Sequence, residues 1–233
     1  MHLQPVRIFV ESLVRSEFAY VAETLLLRGG YRKTHFQADQ TTLQSVSQMG
    51  EAYAGTIERL VLPEHVQFNP AFTRNPSLAR PPEVCRFQEL ILQTAIRRRL
   101  RDAINLGEFL IALNIVIPPA DSFEIMGEKA LTQGHINLLM KQRVPLGSSM
   151  RIPLEVKMNR GQVRDLAQLR GYMDEIGECP IGVLIAPDFS KDTVRKAHPV
   201  NITLIQYSFS TDLKRAQTFD EICQDLTLRP FTK

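Results

Sequence analysis

Residues 151–158 read RIPLEVKM, and apolar side chains alternate with polar ones along this stretch. Such alternation predicts a β-strand with one apolar face and one polar face. Glu155 and Lys157 are two residues apart, so both project from the polar face. A carboxylate and an ammonium group held side by side can bind a divalent cation and polarise a nucleophile. The same spacing is also that of an ordinary exposed ion pair, worth under ~1 kcal/mol.

The next predicted element is a helix over residues 162–177 that carries QLRGY at 168–172. Arg164, Gln168 and Tyr172 follow one another at intervals of four, so they form one polar stripe. The apolar residues of this helix lie on its opposite face. This stripe either braces a site on the strand or is a solvated helix surface.

A second strand is predicted upstream, over residues 134–142, where the chain reads GHINLL at 134–139. Gly147, Ser148 and Ser149 supply a turn, so this strand and residues 151–158 are predicted to form a hairpin. Asn137 lies in the upstream strand. It is interpreted either as a site residue or as a hydrogen-bonding residue of the strand.

The segment 134–172 resembles the RecB-like branch of the PD-(D/E)xK nuclease superfamily. It combines an apolar strand, an E-x-K strand and a Q-x-x-x-Y helix. The resemblance covers roughly residues 83–207, with its distinctive motifs in 134–172. Asn137 stands where that family has an aspartate. The resemblance implies an α/β fold with a restriction-endonuclease-like mixed central sheet flanked by helices.

The resemblance also implies a set of site residues. Glu155 and Asn137 would be the ligands of Mg²⁺ or Mn²⁺, and Lys157 would orient water or stabilise developing charge. The expected catalytic set is Glu155, Lys157, Asn137, Gln168, Tyr172 and Glu89. Glu89 is preferred to Glu83, which lies nearer a helix start. Asp121 and Glu124 are the nearest candidates in sequence to replace the missing aspartate.

Three arginines are candidate nucleic-acid contacts. Arg164 lies on the helix of the Q-x-x-x-Y motif, and Arg97 and Arg101 share one face of a predicted helix with a dense basic cluster. Such a cluster is also typical of a solvated helix face.

The rest of the chain is assigned from periodicity and turn residues. Helices are predicted over 7–28, 40–61, 83–105, 190–197 and 217–226, and strands over 109–117, 181–186 and 201–207. Several prolines separate the second helix from the third. The predicted organisation is a helical N-terminal region, 1–82, followed by a nuclease-like α/β core, 83–233.

Composition and charge argue against several classes of protein. The net charge of +3 is mild, and no apolar run reaches the ~20 residues needed to cross a bilayer, so no membrane partner is expected. The first residues carry charges that a secretory signal would not contain. Three scattered cysteines indicate a reducing, cytoplasmic setting, and the five histidines show no zinc spacing.

Two functions remain open. One is a metal-dependent nuclease that hydrolyses phosphodiester bonds of DNA. The other is a catalytically inactive nuclease-like protein that binds nucleic acid or a protein partner, which the asparagine favours. In either case DNA is the expected partner, and the N-terminal helices are predicted to serve a homodimer or protein contact. A small-molecule α/β enzyme has no motif in its favour.

Overall fold

In this computed structural model, the described residues are 7–8, 51–52, 54 and 69–232, except 116–118, 133, 144–149 and 212. The chain divides into two units, Met1–Phe68 and Asn69–Lys233. The predicted boundary between residues 82 and 83 falls inside the second unit. The division predicted from the sequence, 1–82 and 83–233, stays a prediction.

The first unit contains strand β1 (Arg7–Ile8), which pairs antiparallel with β2 (Glu51–Ala52). These four residues fall within the predicted helices 7–28 and 40–61, so the helix prediction is wrong at those positions. The run RIFV at 7–10 is rich in residues that favour strands, which competes with the helical pattern. The remainder of both predicted helices lies outside the described residues.

The second unit is built on a six-stranded mixed sheet. Its strands are β5 (Phe123–Leu131), β6 (Gly134–Gln142), β7 (Arg151–Val156), β8 (Gly182–Ala186), β9 (Ile202–Ser208) and β11 (Thr227–Pro230). Strands β5, β6 and β7 form an antiparallel meander, β7, β8 and β9 run parallel, and β11 closes the far edge antiparallel to β9. The α/β class expected from the sequence is confirmed.

Helices cover both faces of this sheet. They are α1 (Glu89–Leu100), α2 (Ala103–Ala112), α3 (Val163–Ile176), α4 (Lys191–Ala197) and α5 (Phe219–Asp225). One hydrophobic cluster joins α1, α2 and α5 to the sheet, and a second joins α3 and α4 to its opposite face. Among the described residues, no helix is both long and apolar enough to span a bilayer.

A three-stranded sheet flanks this core. It contains β3 (Ala71–Thr73), β4 (Val84–Arg86) and β10 (Gln217–Thr218), in the order β10, β3, β4. Short 3₁₀ turns occur at Pro76–Leu78, Ala120–Ser122 and His198–Val200. None of these strands was predicted, since two or three residues are too few to establish a period of two.

The elements around the motifs agree with the sequence prediction. The hairpin of β6 and β7 pairs Leu138 with Leu154, and α3 matches the predicted helix 162–177 within a residue at each end. A capping box between Gln162 and Asp165 begins α3, and Gly177 ends it at a positive φ of 64°. Strands β8 and β9 and helices α4 and α5 also lie where they were predicted.

Two predicted elements are wrong. The helix predicted over 83–105 is divided into β4, α1 and the start of α2. The strand predicted over 109–117 begins inside α2, which ends at Ala112, and residues 116–117 lie outside the described residues. Leu106, Phe109, Leu110 and Leu113 are buried at helical spacing. Ile111 is 71% exposed, so the apolar run is amphipathic at a period of 3.6 and not a buried strand. The first strand of the meander is β5 instead.

Candidate active site

A cleft of about 420 Å³ opens at the carboxyl end of β7, where α1 and α3 both begin. Its lining residues are Glu89, Lys157, Met158, Asn159, Arg160, Arg164, Asp165 and Gln168. The topology explains why they meet: β7 enters the site and the chain turns directly into α3. The N-terminal end of a helix favours anions, because the helix dipole is positive there.

Glu155 and Lys157 form an ion pair at this position. Lys157 directly follows β7, which ends at Val156 and not at residue 158 as predicted, and its Nζ lies 2.7 Å from Glu155 Oε1. Glu155 is only 1% exposed, because α3 covers this face, and Lys157 lies between it and the cleft. The pair is therefore not an ordinary exposed ion pair. The Oε2 atom of Glu155 is buried and has no hydrogen-bond partner within the described part of the chain.

The two groups shift each other's protonation. Burial raises the pKa of the Glu155 carboxyl above its usual 4.5, although the hydrogen bond and charge of Lys157 oppose this. The negative charges of Glu89 and Asp165 raise that pKa further. Burial lowers the pKa of Lys157, but the hydrogen bond and charge of Glu155, together with the charges of Asp165 and Glu89, raise it above its usual 10.5. Lys157 is therefore an ammonium donor at neutral pH.

Asp165 is a site residue that the sequence analysis missed. It is 6% exposed, its Oδ1 lies 3.9 Å from Lys157 Nζ, and its Oδ2 accepts the N–H of Gln162. Its capping role is visible in the sequence only once the start of α3 is known. The spacing of three between Asp165 and Gln168 was the available signal, since these residues share a helix face.

Asn137 lies beside the pair but uses its oxygen structurally. Asn137 Oδ1 accepts the backbone N–H of Val156 at 2.7 Å. The register of β6 and β7 ends at Leu138 and Leu154, so this side chain supplies a bond where the backbone pairing stops. The oxygen expected to bind a cation therefore already accepts one hydrogen bond.

Gln168 and Tyr172 contact each other as their spacing predicted. Gln168 Nε2 donates to Tyr172 Oη at 2.6 Å. Tyr172 is 2% exposed, so it belongs to the core, while Gln168 is exposed and lines the cleft. A Cβ on Gly134, which has a φ of +149°, would come within 2.7 Å of Tyr172 Oη. The start of β6 therefore holds the tyrosine that supports Gln168.

Of the four other acids considered in the sequence analysis, some line the cleft and some do not. Glu89, the first residue of α1, lines the cleft, and its side chain also accepts a hydrogen bond from Gln93. Glu83 precedes β4 and does not line the cleft, and neither do Asp121 and Glu124. Glu124 is paired in register with Lys141 at the other end of the meander. Of these four acids, Glu89 is the one that lines the cleft.

The three candidate arginines are also separated. Arg164 is 88% exposed and lies at the cleft, 3.9 Å from Asp165. Arg97 donates to the carbonyl of Ile125, and Arg101 is the exposed C-cap of α1. Neither Arg97 nor Arg101 lines the cleft. Arg160, which does, pairs with Asp188 at 2.9 Å.

The segment after Lys157 is fixed by a hydrogen-bonded chain. Tyr207 Oη donates to the carbonyl of Met158 at 3.2 Å and accepts from Arg74 Nη2 at 3.2 Å. The Arg74 guanidinium lies 5.5 Å from the ring of Phe87 and 5.7 Å from that of Phe209. The cleft wall at Met158 is therefore anchored to the core.

The residues of the site fit a divalent cation in part. A buried carboxylate oxygen without a partner, Glu155 Oε2, is the kind of hard ligand that Mg²⁺ prefers, and Glu89 is a second acid at the cleft. Across the described residues, however, no three Asp, Glu, His or Cys side chains converge as a ready ligand set. A cation bound here would draw further ligands from outside the protein.

The comparisons with known proteins are weak. A solved complex of EndoMS with double-stranded DNA is 21% identical, with 42% of this chain and 41% of that chain covered and a TM-score of 0.31. A repair endonuclease from Pyrococcus abyssi is 14% identical, with 46% and 44% covered and a TM-score of 0.33. EndoMS in its apo form is 18% identical, with 44% of each chain covered and a TM-score of 0.28.

The chain spans less than half the length of these solved structures. No protein-family model matches it, and no curated protein matches it. At TM-scores of 0.28 to 0.33 the structural matches establish neither a family nor an activity.

Proposed function

We propose that the cleft hydrolyses phosphodiester bonds of DNA with the help of Mg²⁺ or Mn²⁺, on a restriction-endonuclease-like fold. The observation that carries this proposal is the ion pair of Lys157 with the buried Glu155 at the junction of β7 and α3. A stable ammonium group at the floor of an open cleft is suited to a phosphoryl group. The exposed Arg164 and two helix N-termini add to its affinity for anions.

Each residue has a distinct proposed role. An ammonium group has three N–H donors, of which Glu155 takes one, so Lys157 can donate another to the phosphoryl oxygen that gains charge. Glu155 and Glu89 would hold the cation, which supplies Lewis acidity and a lower pKa for the attacking water. Gln168, supported by Tyr172, and Arg164 would position the backbone of the nucleic acid.

In the proposed reaction, the oxygen of water forms a bond to phosphorus while the bond from phosphorus to one ester oxygen breaks. The water loses a proton to solvent, and the leaving oxygen gains one. Lys157 stays protonated throughout. Arg97 and Arg101 are not part of this arrangement, and a phosphate contact by them would be a separate site.

A second function is favoured by one specific observation. Asn137 Oδ1 accepts the N–H of Val156, and an asparagine carries no charge for a cation. The chain would then bind nucleic acid or a protein partner without cleaving it. A partner or homodimer contact through the N-terminal region falls mainly outside the described residues and stays a prediction.

Cleavage of supercoiled plasmid and of labelled single- and double-stranded oligonucleotides tests the proposal, with Mg²⁺, Mn²⁺ or EDTA present. Glu155→Gln and Lys157→Met are each expected to lower the rate by about 10²-fold or more. The matched controls are Glu108→Gln on α2 and Lys191→Met on α4, which are exposed and away from the cleft. These controls should cleave like the unaltered protein.

The competing function gives a different pattern. Binding of the oligonucleotides without any cation-dependent cleavage would select the non-catalytic function. Cleavage that persists in both Glu155→Gln and Lys157→Met would mean that the activity belongs to another site or to a contaminant.

A further inference from the structure

Asp165 is a buried carboxylate whose two oxygens have different neighbours. It is the third residue of α3 and is only 6% exposed. Its Oδ2 accepts the backbone N–H of Gln162 at 2.8 Å, which caps the helix. Its Oδ1 lies 3.9 Å from Lys157 Nζ. Because capping uses one oxygen, the other is left to act on the lysine.

Capping alone does not explain a charged residue at this position. An amide oxygen would also accept the N–H of Gln162, whereas burying a carboxylate costs free energy that a cation must offset. Two cations lie 3.9 Å from Asp165 Oδ1. The side chain of Arg164 is 88% exposed, so water screens its charge, but that of Lys157 is only 23% exposed. Lys157 is therefore the stronger partner of Asp165.

The ammonium group of Lys157 lies between two carboxylates from different elements. Glu155 on β7 accepts a hydrogen bond from it at 2.7 Å, and Asp165 on α3 attracts it from 3.9 Å. A lysine side chain is a flexible four-carbon stem, so one hydrogen bond leaves its ammonium group several possible positions. A second charge on a separate element restricts those positions. Without Asp165, the ammonium group would be held chiefly by Glu155.

The same carboxylate opposes the binding of a nucleic-acid backbone. Asp165 lines the cleft, so a phosphodiester bound there would lie within a few ångströms of its negative charge. In a solvated cleft, one repulsion of this kind lowers the affinity about threefold. Asp165 therefore has two effects of opposite sign on a reaction at this cleft.

We infer that Asp165 is a positioning residue, which holds the ammonium group of Lys157 in place for a phosphodiester while it lowers the affinity of the cleft for DNA. The inference rests on the proposed assignment of the cleft to DNA. Asp165→Asn keeps an oxygen for the N–H of Gln162 and removes the charge. The variant is expected to lower kcat about tenfold, because Lys157 is less well placed, and to bind DNA about threefold more tightly. A loss of folding would not produce these opposite changes.

Three measurements on the full chain test the inference. Cleavage of a labelled duplex oligonucleotide gives kcat and KM, and fluorescence anisotropy of the same duplex in EDTA gives the DNA affinity without cleavage. Urea unfolding of Asp165→Asn, Lys157→Met and the double variant shows whether the two side chains are coupled. The matched control is Asp174→Asn, an exposed aspartate of α3 that pairs with Arg170 and does not line the cleft. Asp165→Glu restores the charge and should recover most of the rate.

The expected result is slower cleavage and tighter DNA binding by Asp165→Asn, non-additive losses in urea, and no change in Asp174→Asn. If Asp165→Asn cleaves as fast as the unaltered protein, or if its rate and DNA affinity fall together, the inference is overturned and the proposed hydrolysis stands. If the unaltered protein cleaves no DNA, the proposed hydrolysis fails and the other two measurements decide. Additive losses in urea or an unchanged DNA affinity would then overturn the inference, whereas non-additive losses with tighter DNA binding would support it.

Discussion

The side-chain oxygen of Asn137 lies 2.7 Å from the backbone nitrogen of Val156 and accepts its N–H. Val156 lies between Glu155 and Lys157, so this bond fixes the backbone of the ion pair from the neighbouring strand. Asn137 therefore stabilises the sheet through this hydrogen bond. Any substitution of Asn137 affects the sheet as well as the proposed cation.

Asn137→Ala is expected to destabilise the fold by about 1–3 kcal/mol, because it leaves a buried N–H without an acceptor. Asn137→Asp retains an acceptor and should cost less. Urea unfolding measures both, with Asn159→Ala as the control, since Asn159 is exposed at the cleft rim and its loss should stay within about 0.5 kcal/mol. An alanine variant as stable as the control would mean that water satisfies the N–H of Val156.

Gly134→Ala should be destabilising by about 1–3 kcal/mol, because φ is +149° and the added Cβ would lie 2.7 Å from Tyr172 Oη. Thermal or urea unfolding checks this. Combining it with Tyr172→Phe should relieve the steric part of the loss. Gly107→Ala is the control: its Cβ would meet nothing within 4 Å inside α2, so this change should stabilise the protein by about 0.5–1 kcal/mol. Equal effects at the two glycines would contradict the proposed contact.

Lys157→Met should cost about 3 kcal/mol of stability, at the low end for breaking a buried pair, because Glu155 would keep a buried charge without its partner. The double variant with Glu155→Gln should recover a large part of this loss, since neither charge remains. Chemical denaturation of all four proteins gives the coupling energy. The control is Arg195→Met, which breaks the exposed pair with Asp192 and should cost under ~1 kcal/mol.

The raised pKa of Glu155 predicts how stability depends on pH. The folded state holds this proton more tightly than the unfolded chain, so Glu155 lowers the free energy of unfolding as pH rises from about 4.5 through its folded pKa. Glu155→Gln removes that decrease. The stability of the unaltered protein relative to the variant should therefore fall with rising pH.

Unfolding measured from pH 4 to 9 checks this. The raised pKa of Lys157 acts in a different range: its contribution to stability is complete below about pH 10.5 and is lost only at higher pH. If the stability of the unaltered protein relative to Glu155→Gln rises with pH between 4 and 9, the charge of Lys157 outweighs burial and lowers the pKa of Glu155.

The sequence predicted the elements that have a clear period or clear ends. The hairpin of β6 and β7 follows from alternation, and α3 follows from its helical stripe. The apolar run 109–117 has no decisive period by itself, because short buried strands and helices have similar compositions. Burial of Leu106 and Phe109 with exposure of Ile111 identifies residues 109–112 as part of a helix only once their neighbours are in place.

The spacing of Glu155 and Lys157 by itself determined that their side chains would share a face, since a strand has a period of two. Helical spacing likewise paired Gln168 with Tyr172. Only the tertiary structure decided that Glu155 is buried, that Glu89 and Asp165 lie near it, and that Asn137 accepts the N–H of Val156. Those relationships depend on how α1, α3 and β6 pack around β7, and local backbone geometry does not encode contacts between separate elements.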